Sequence, residues 1–304
     1  MSSPKILSVG LGNMGAALAQ TLAKTNSNST INVWNRTRDR PQVNKLIESG
    51  ARFEPNLEEA LRAAEVIIIC LLDYDSIYSV LNPASSSLAG KVVINLTNGT
   101  PRQANEAQEW MKRSGVKLYF DGAVMVTPQL VGTPQSFLLY SGETEETFRS
   151  AISDLVSPLG ASLYVGEDVT TAATNDLAAL AAMYGMFSGA FIGIGLLQRQ
   201  LSKSSKDASK TTSRPVSQVI VPLLKALVPY VTLIASAVDG EAWDDSQGNP
   251  LGMQLAGVRN ILQACKEEGV DGAGLEPLAS LMQRVVDERG GDGGVAEISR
   301  LIVE

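Results

Sequence analysis

The chain has 304 residues, a formal net charge of −7 and no histidine. Domains usually contain about 100–200 residues, so this length is enough for two of them. The acidic balance argues against a nucleic-acid surface, since no basic stripe is interleaved with aromatic residues. The lack of histidine excludes catalytic triads that use it, histidine-ligated metals and histidine-based alcohol dehydrogenation, and we predict no metal site.

The two cysteines and the N-terminal segment indicate the cellular compartment. Cys70 and Cys265 lie in an apolar run and in a helical pattern, and buried free thiols suit a reducing environment. The N-terminal segment MSSPKILSVG lacks a basic region followed by a long apolar stretch, so we predict no secretory signal. We expect a cytoplasmic protein.

The first half of the chain alternates short apolar runs with helical patterns. Such alternation is typical of a parallel, doubly wound sheet covered by helices on both faces. The predicted strands are residues 5–10, 31–34, 66–72, 91–96, 117–122, 136–142 and 162–166. The predicted helices are residues 13–24, 40–49, 57–64, 102–114 and 143–157.

From about residue 170 the pattern is helical only. It predicts a long helix over roughly 170–200, a polar loop at 202–215, three or four further helices, and a turn at 289–294 before the last. The predicted fold is an α/β N-terminal Rossmann domain plus an all-α C-terminal domain joined by a long interdomain helix. The boundaries are 1–168 for the NADPH-binding domain, 169–200 for the helix, and 201–304 for a helical dimerisation and substrate domain.

The long helix is apolar enough to raise the question of a membrane span. Twenty-two residues without charge separate Asp176 from Arg199, and about 20 residues are enough to cross a bilayer. However, Gly185, Gly189 and Gly193 recur every four residues, which lets another backbone approach closely. We therefore expect a helix buried between domains or subunits, and no membrane.

The first predicted strand runs into a glycine-rich loop and then a helix. Gly10, Gly12 and Gly15 have the G-x-G-x-x-G spacing that gives a tight turn, close approach of a pyrophosphate, and close helix–strand packing. The following helix N-terminus offers free N–H groups to the phosphates. The predicted dinucleotide loop consists of Gly10, Leu11, Gly12, Asn13, Met14 and Gly15.

The end of the second strand indicates which dinucleotide binds. An NAD-binding protein places Asp or Glu here to bind the ribose hydroxyls, whereas this chain has Asn35, Arg36, Thr37 and Arg40. A 2′-phosphate favours charged planar donors and would be repelled by a carboxylate. The sequence therefore predicts NADPH.

Several motifs together resemble a known family. They are GLGNMG, VWNRT, IIICLL, NLTNGTP, DGAVMVTP, LLYSGE, NDLAALAAMYGMFSG and LGMQLAGVRNI, which span residues 10–261. The chain resembles the imine reductase branch of the β-hydroxyacid dehydrogenase superfamily, and within it the fungal reductive aminases. This resemblance also implies cofactor contacts from Leu71, Leu72 and Asn98.

The departures from hydroxyacid dehydrogenases are informative. Those enzymes carry a catalytic lysine and, four residues on, an asparagine; the matching positions here are Asp176 and Leu180. They also bind the substrate carboxylate with a Ser-Gly-Gly segment, where this chain has apolar Met125 and Val126. Hydride addition to a ketone leaves an alkoxide, which a nearby carboxylate opposes, whereas an iminium cation is stabilised by one. The residues thus favour C=N over C=O.

Fungal reductive aminases use an asparagine, an aspartate and a tyrosine for catalysis, and the matching residues are Asn98, Asp176 and Tyr184. Tyr184 lies eight residues after Asp176, about 12 Å along a helix and roughly 80° around it, so the two could face one cavity. We expect Asn98, in the loop after strand 91–96, to bond near the nicotinamide and the reacting carbon.

The resemblance further implies a homodimer with a helix-swapped C-terminal domain. Tyr230, Met253 and Gln254 would then reach the active site from the partner chain. The apolar character of Met125, Val126 and Met253 predicts a hydrophobic substrate, either a ketone or aldehyde with a small amine or a cyclic imine.

The expected function is an NADPH-dependent imine reductase that also performs reductive amination. Two alternatives stay open at this point. One is a β-hydroxyacid dehydrogenase-like carbonyl reductase with an altered proton donor, and the other is a non-catalytic NADPH-binding protein.

Overall fold

The structure of the protein, a computed structural model, describes residues 4–25, 31–203 and 211–302. The chain forms two compact units, Met1–Leu180 and Ala181–Glu304. The division falls inside one long helix, Thr170–Lys203. An α/β unit followed by a helical unit is the predicted fold class, which is confirmed.

The first unit is built on one eight-stranded sheet with the order β3-β2-β1-β4-β5-β6-β7-β8. Its strands are β1 Ile6–Val9, β2 Asn32–Trp34, β3 Arg52–Phe53, β4 Val66–Ile69, β5 Val92–Asn95, β6 Leu118–Val124, β7 Phe137–Ser141 and β8 Ala161–Gly166. Strands β1 and β4 are buried at every position, as expected for parallel strands covered on both faces.

The expectation of a wholly parallel sheet is wrong at one place. Strand β7 pairs antiparallel with β6, whereas the other strand pairs of the described sheet are parallel. The connection between them, residues 125–136, contains only a short 3₁₀ turn, Pro128–Leu130, and lacks the α-helix that usually makes a parallel crossover.

Helices cover the sheet on both faces. They are α1 Asn13–Thr25, α2 Pro41–Glu48, α3 Leu57–Ala63, α4 Tyr74–Leu81, α5 Pro101–Arg113, α6 Glu145–Phe148 and α7 Asp154–Val156. Helix α4 was not predicted; it starts where the Asp73 side chain accepts a hydrogen bond from the backbone N–H of Ser76, and a 3₁₀ helix, Asn82–Leu88, continues it. The predicted helix over 143–157 is interrupted by a π turn at Arg149–Ser153.

The second unit is helical. After α8, Thr170–Lys203, come α9 Ser213–Pro215, α10 Val221–Leu227, α11 Tyr230–Asp239, α12 Leu251–Glu268, α13 Glu276–Arg289 and a final 3₁₀ helix, Val295–Leu301. A π-helical segment, Val216–Ile220, joins α9 to α10. Much of the predicted loop at 202–215 lies outside the described residues, and its end at 213–215 is helical. The predicted turn at 289–294 is found between α13 and the 3₁₀ helix.

The helical unit has a small core and large exposed apolar faces. Its buried cluster, within the described residues, consists of Leu251, Leu255, Met282, Val285 and Ile298. Two helical stretches, Thr170–Lys203 and Ser213–Asp239, are long and apolar enough to cross a membrane, but only 6% and 0% of their most apolar windows is buried. Length and composition alone are weak evidence for a membrane, and a partner protein could equally cover such faces.

Candidate active site

The glycine loop after β1 has the backbone that its sequence predicts. Gly10 has a φ of 91°, which favours glycine, and its N–H donates to the Trp34 carbonyl over 3.0 Å. A Cβ at Gly15 would overlap the carbonyl oxygen of Gly10, so helix α1 can approach the loop only with glycine there. A Cβ at Gly12 would meet nothing within 4 Å and would project into open space.

That space belongs to a cavity of about 420 Å³ at the carboxyl ends of β1, β2 and β4. Its described lining contains no Asp or Glu, so nothing there repels a phosphate. The lining residues are Gly10, Leu11, Gly12, Asn13, Met14, Gly15, Trp34, Asn35, Arg36, Thr37, Arg40, Cys70, Leu71, Leu72, Ser76 and Val80. The residues present therefore fit a dinucleotide with its pyrophosphate on the loop and the N-terminus of α1.

Asn35 forms hydrogen bonds to both loops that line this cavity, the glycine loop and the loop after β2. Its Oδ1 accepts from the N–H of Leu11 over 2.9 Å, and its Nδ2 donates to the carbonyl of Thr37 over 2.6 Å. Its side chain thus fixes the glycine loop to the loop after β2. Asn35 lines the predicted site and also organises it.

Arg36 and Arg40 are exposed at the cavity, and neither enters an ion pair within the described residues. Arg38, between them, differs: it pairs with Asp39 at 3.7 Å and its guanidinium lies 5.7 Å from the centre of the Phe53 ring. Arg36 and Arg40 therefore have guanidinium groups available for a 2′-phosphate.

Leu71 and Leu72 follow β4 and line the cavity. The N–H of Leu71 donates to Oγ1 of Thr97 over 3.1 Å, which ties the loop after β4 to the loop after β5. The Leu72 side chain is 85% exposed. Four further lining residues were not predicted from the sequence: Trp34, Cys70, Ser76 and Val80. The last two lie on α4, which was not among the predicted helices although Tyr74, Ile77 and Leu81 have helical spacing.

Asn98 and Asp176 meet in the first unit. Nδ2 of Asn98 donates to Oδ2 of Asp176 over 2.7 Å, across 78 positions of sequence. Asp176 is 7% exposed and enters no ion pair among the described residues. The structure thus places an uncompensated carboxyl, held by an amide, beside the loop that follows β5.

The start of α8 fixes the position of Asp176. The Asp168 side chain accepts from the N–H of Thr170 over 2.9 Å at the first turn. Oγ of buried Ser141, at the end of β7, donates to the Val169 carbonyl and accepts from the N–H of Ala172, at 3.0 and 3.1 Å. Asp176 lies four residues after Ala172, on the same helix face.

Beneath the Asn98 loop lies a buried cluster that the sequence analysis did not single out. Oδ1 of Asp121 accepts from the Tyr74 hydroxyl, Asn95 Nδ2 and the Tyr119 hydroxyl at 2.7, 3.0 and 3.3 Å. Burial and, to a smaller extent, the negative charge of Asp176 raise the pKa of Asp121 to about 7, against the lowering effect of those hydrogen bonds. Burial also raises the pKa of both tyrosines, so their hydroxyls stay protonated donors.

The remaining predicted residues are described within their own units. Met125 and Val126, at the end of β6 in the first unit, are half-buried. In the second unit Tyr184 is 63% exposed, with its ring 6.1 Å from that of Phe187 in an edge-on arrangement. Met253 is 55% exposed, Tyr230 is half-buried, and Nε2 of Gln254 donates to the Asn249 carbonyl over 2.7 Å.

Two family descriptions match consecutive parts of the chain. Residues 5–130 match the NAD binding domain of 6-phosphogluconate dehydrogenase. Residues 168–304 match the C-terminal domain of the NADPH-dependent reductive aminase-like proteins. The second match contains Asp176 and Tyr184.

Full-length relatives agree with these matches. An NADPH-dependent reductive aminase of Aspergillus oryzae is 39% identical over 96% of this chain and 94% of its own length. A reductive aminase from Aspergillus terreus, solved with NADPH4, cyclohexanone and allyl amine, has a TM-score of 0.88 at 32% identity and covers 98% of this chain and 99% of its own. An imine reductase from Myxococcus stipitatus, solved with NADP+, has a TM-score of 0.86 at 26% identity over 98% and 100% of the two chains.

Proposed function

Because this chain belongs to the NADPH-dependent reductive aminase family, we propose that it reduces C=N bonds formed from a ketone or aldehyde and a small amine. It is an NADPH-dependent oxidoreductase, and the family and cofactor predicted from its motifs are confirmed. The Asn98–Asp176 pair is the observation that carries the proposed chemistry.

The sign of the charge at this pair selects the electrophile. Asp176 faces no cation among the described ion pairs, so its carboxylate is free to stabilise a positive charge on the substrate. When hydride adds to an iminium carbon, a C–H bond forms and the π electrons of C=N become the nitrogen lone pair, which removes that charge. The same carboxylate would repel the alkoxide formed from a ketone. The proposed enzyme therefore acts on the imine and leaves the free ketone unreduced.

Bound NADPH would supply the hydride, and the residues of the chain would bind and orient it. The glycine loop and the N-terminus of α1 bind the pyrophosphate, while Arg36 and Arg40 bind the 2′-phosphate. We assign to Asn98 the role of holding Asp176 in place and bonding near the reacting carbon.

We assign Tyr184 as a hydrogen-bond donor to the substrate nitrogen or to the hydroxyl of the carbinolamine that precedes the imine. Its exposed phenol and its position two helical turns after Asp176 support this role. Loss of water from the carbinolamine needs a donor to the leaving hydroxyl, which a phenol can be.

The proposed enzyme is a homodimer in which helices of the second unit cover one another. The small core of this unit leaves large apolar side chains uncovered in a single chain. Four of them are 62–71% exposed: Phe191, Val219, Val228 and Val231. A second copy with swapped helices would cover these side chains and bring Tyr230, Met253 and Gln254 to the partner's site. Such a soluble dimer would function in the cytoplasm.

The pocket residues favour an apolar substrate. Met125, Val126 and Met253 carry no charge, so they suit hydrocarbon substituents on the carbonyl carbon better than a carboxylate. We therefore propose small hydrophobic ketones or aldehydes with amines, and cyclic imines, as the substrate class.

The test is NADPH consumption with a cyclic imine, with a ketone plus an amine, and with the ketone alone. We expect turnover in the first two assays and none in the third. Oxidation of 3-hydroxy acids without imine turnover would replace the proposal with a carbonyl reductase. Tight NADPH binding without turnover on any of these substrates would indicate a non-catalytic protein.

A further inference from the structure

The buried cluster around Asp121 has no role in the chemistry described so far. Asp121 is 1% exposed, and its Oδ1 accepts the three hydrogen bonds from Tyr74, Asn95 and Tyr119. Asp121 enters no ion pair within the described residues. A carboxyl without a cation is costly to bury, and apolar side chains of similar volume usually stabilise a core at least as well. Stability of the sheet alone therefore does not account for it.

The cluster is connected to Asn98 by two contacts. A Cβ at Gly99 would overlap the ring of Tyr74, so the backbone next to Asn98 rests directly on that ring. Oδ1 of Asn95 accepts from the N–H of Thr97 over 3.1 Å, which fixes the backbone on the other side. The loop that carries Asn98 is thus held from below by side chains whose own positions Asp121 sets.

We propose that Asp121 and Tyr74 are positioning residues that hold Asn98 in hydrogen-bonding distance of Asp176. This inference rests on the proposed function, because it assigns the cluster to the same reaction. The hydrogen bonds of Asp121 lock Tyr74 and Asn95, and these two lock the loop on which Asn98 lies. Small displacements of such a loop are costly, since a shift of about 1 Å in a reacting group can reduce turnover about 100-fold.

The protonation of Asp121 fits this role. Tyr74, Tyr119 and Asp176 are the titratable groups that act on it, and with its pKa at about 7 Asp121 is neutral under mildly acidic conditions. A neutral Asp121 keeps its acceptor oxygen and adds no second negative charge near Asp176. Ionisation at higher pH would place two carboxylates in one region and disturb the Asn98–Asp176 pair.

Three variants test the proposal, with Tyr140→Phe as the matched control. Tyr140 is a buried tyrosine on β7 that packs against Phe148 on the opposite face of the sheet. Asp121→Leu removes the acceptor, Asp121→Asn keeps an acceptor oxygen without a titrating proton, and Tyr74→Phe removes one donor but keeps the ring under Gly99.

The readouts are kcat for a cyclic imine, the KM for NADPH, and the Asn98–Asp176 distance in crystals of each NADPH-bound variant. We expect Asp121→Leu to lower kcat about 100-fold and Tyr74→Phe about tenfold, with the KM for NADPH within about twofold of the wild type. Asp121→Asn should retain kcat within about threefold and lose any inflection of its pH profile near 7. Tyr140→Phe should match the wild type.

The proposal is overturned if folded Asp121→Leu or Tyr74→Phe keeps full kcat, or if kcat and NADPH affinity fall together. It is also overturned if the 2.7 Å distance from Asn98 to Asp176 is unchanged in those crystals. If the wild type itself reduces no imine, the proposed function fails, and the crystal distance alone decides whether the cluster positions Asn98. Tyr74→Phe, which removes a single oxygen, keeps the test valid if Asp121→Leu does not fold.

Discussion

The side-chain amide of Asn98 donates a 2.7 Å hydrogen bond to the carboxyl of Asp176, although the two residues are 78 positions apart. One lies in the loop after a central strand and the other in the first turns of the long helix. Their contact joins two separate sequence motifs, and in the proposed active site it sets a carboxyl where hydride reduction of a ketone would need a cation.

Asp176→Ala should lower imine turnover about 100- to 1,000-fold, the usual effect of removing an electrostatic stabiliser of the transition state. The affinity for NADPH should hardly change, because Asp176 does not line the cofactor cavity. Steady-state kinetics with a cyclic imine and NADPH titration by fluorescence measure the two effects. Asn175→Ala, an exposed neighbour bonded only to the Thr171 carbonyl in the described contacts, is the control. Unchanged turnover in Asp176→Ala would remove this residue from the mechanism.

Two glycine substitutions should separate cofactor binding from folding. Gly12→Ala should keep the thermal stability of the cofactor-free protein, since its Cβ meets nothing within 4 Å, yet it should weaken NADPH binding by filling the space for the pyrophosphate. Gly15→Ala should lower Tm, because its Cβ would overlap the Gly10 carbonyl. Thermal melts with and without NADPH distinguish them. Equal NADPH affinity in Gly12→Ala and the wild type would contradict the assigned phosphate site.

Arg36→Ala and Arg40→Ala should each raise the Kd for NADPH about tenfold, consistent with loss of a charge-assisted hydrogen bond worth about 1.5 kcal/mol. The Kd for NADH should stay constant, since NADH has no 2′-phosphate. Isothermal titration with both cofactors measures the ratio. Arg38→Ala is the matched control, because Arg38 is directed to Asp39 and Phe53. A parallel loss of NADH affinity would place these arginines elsewhere on the nucleotide.

The stability of the protein should depend on pH through Asp121. Its pKa is raised from 3.8 to about 7 on folding, so between these values the folded chain holds a proton that the unfolded chain has released. The contribution of this group to the free energy of unfolding should therefore fall as pH rises from about 4 to about 7, by up to about 1.4 kcal/mol per pH unit. Above that range it should be constant.

Urea unfolding of the wild type and Asp121→Asn across this pH range measures the difference. The variant should lack the decline attributed to Asp121, whereas Asp154→Asn, which removes an exposed carboxyl on α7, controls for the loss of one negative charge. Parallel curves for the wild type and Asp121→Asn would show that Asp121 ionises alike in both states.

The exposed faces of the helical unit should form a dimer interface. Phe191→Glu combined with Val231→Glu should convert a dimer into a monomer, because each buried charge would lack a partner. Imine turnover should be lost with the dimer, while NADPH binding by the first unit should persist. Light scattering and NADPH titration measure these outcomes. Leu163→Glu, at a 47% exposed position on edge strand β8, is the control, and a wild-type monomer that turns over imines would disprove the shared site.

Local sequence signals were sufficient to predict the glycine loop and the residues after β2 that line the cavity. The glycine spacing and the residues after β2 are each a local pattern, and one β1–α1–β2 unit brings the two patterns to the same edge of the sheet. The short strand β3 was not predicted because two residues carry no periodicity, whereas α4 has both a cap at Asp73 and buried residues at helical spacing, Tyr74, Ile77 and Leu81, and its omission has no such reason.

The tertiary contacts could not be found in the same way. A single carboxylate at position 121 belongs to no sequence pattern. Its hydrogen-bonded cluster forms only because the strand register places it opposite Asn95. Likewise, Asn98 and Asp176 are each ordinary in isolation, the first in a turn and the second near a helix start. Only the family motifs suggested that they act together, and only the fold brings them into contact.

The two hydrogen bonds that Asn35 makes, with the N–H of Leu11 and the carbonyl of Thr37, constrain any attempt to redirect the enzyme to NADH. A carboxylate at this position would keep an acceptor for the Leu11 N–H, yet it would set a negative oxygen against the Thr37 carbonyl, where an amide now donates over 2.6 Å. An engineer who installs the acidic residue typical of NAD enzymes must therefore rebuild the following loop as well. We therefore expect coenzyme preference in this protein to depend on both loops together.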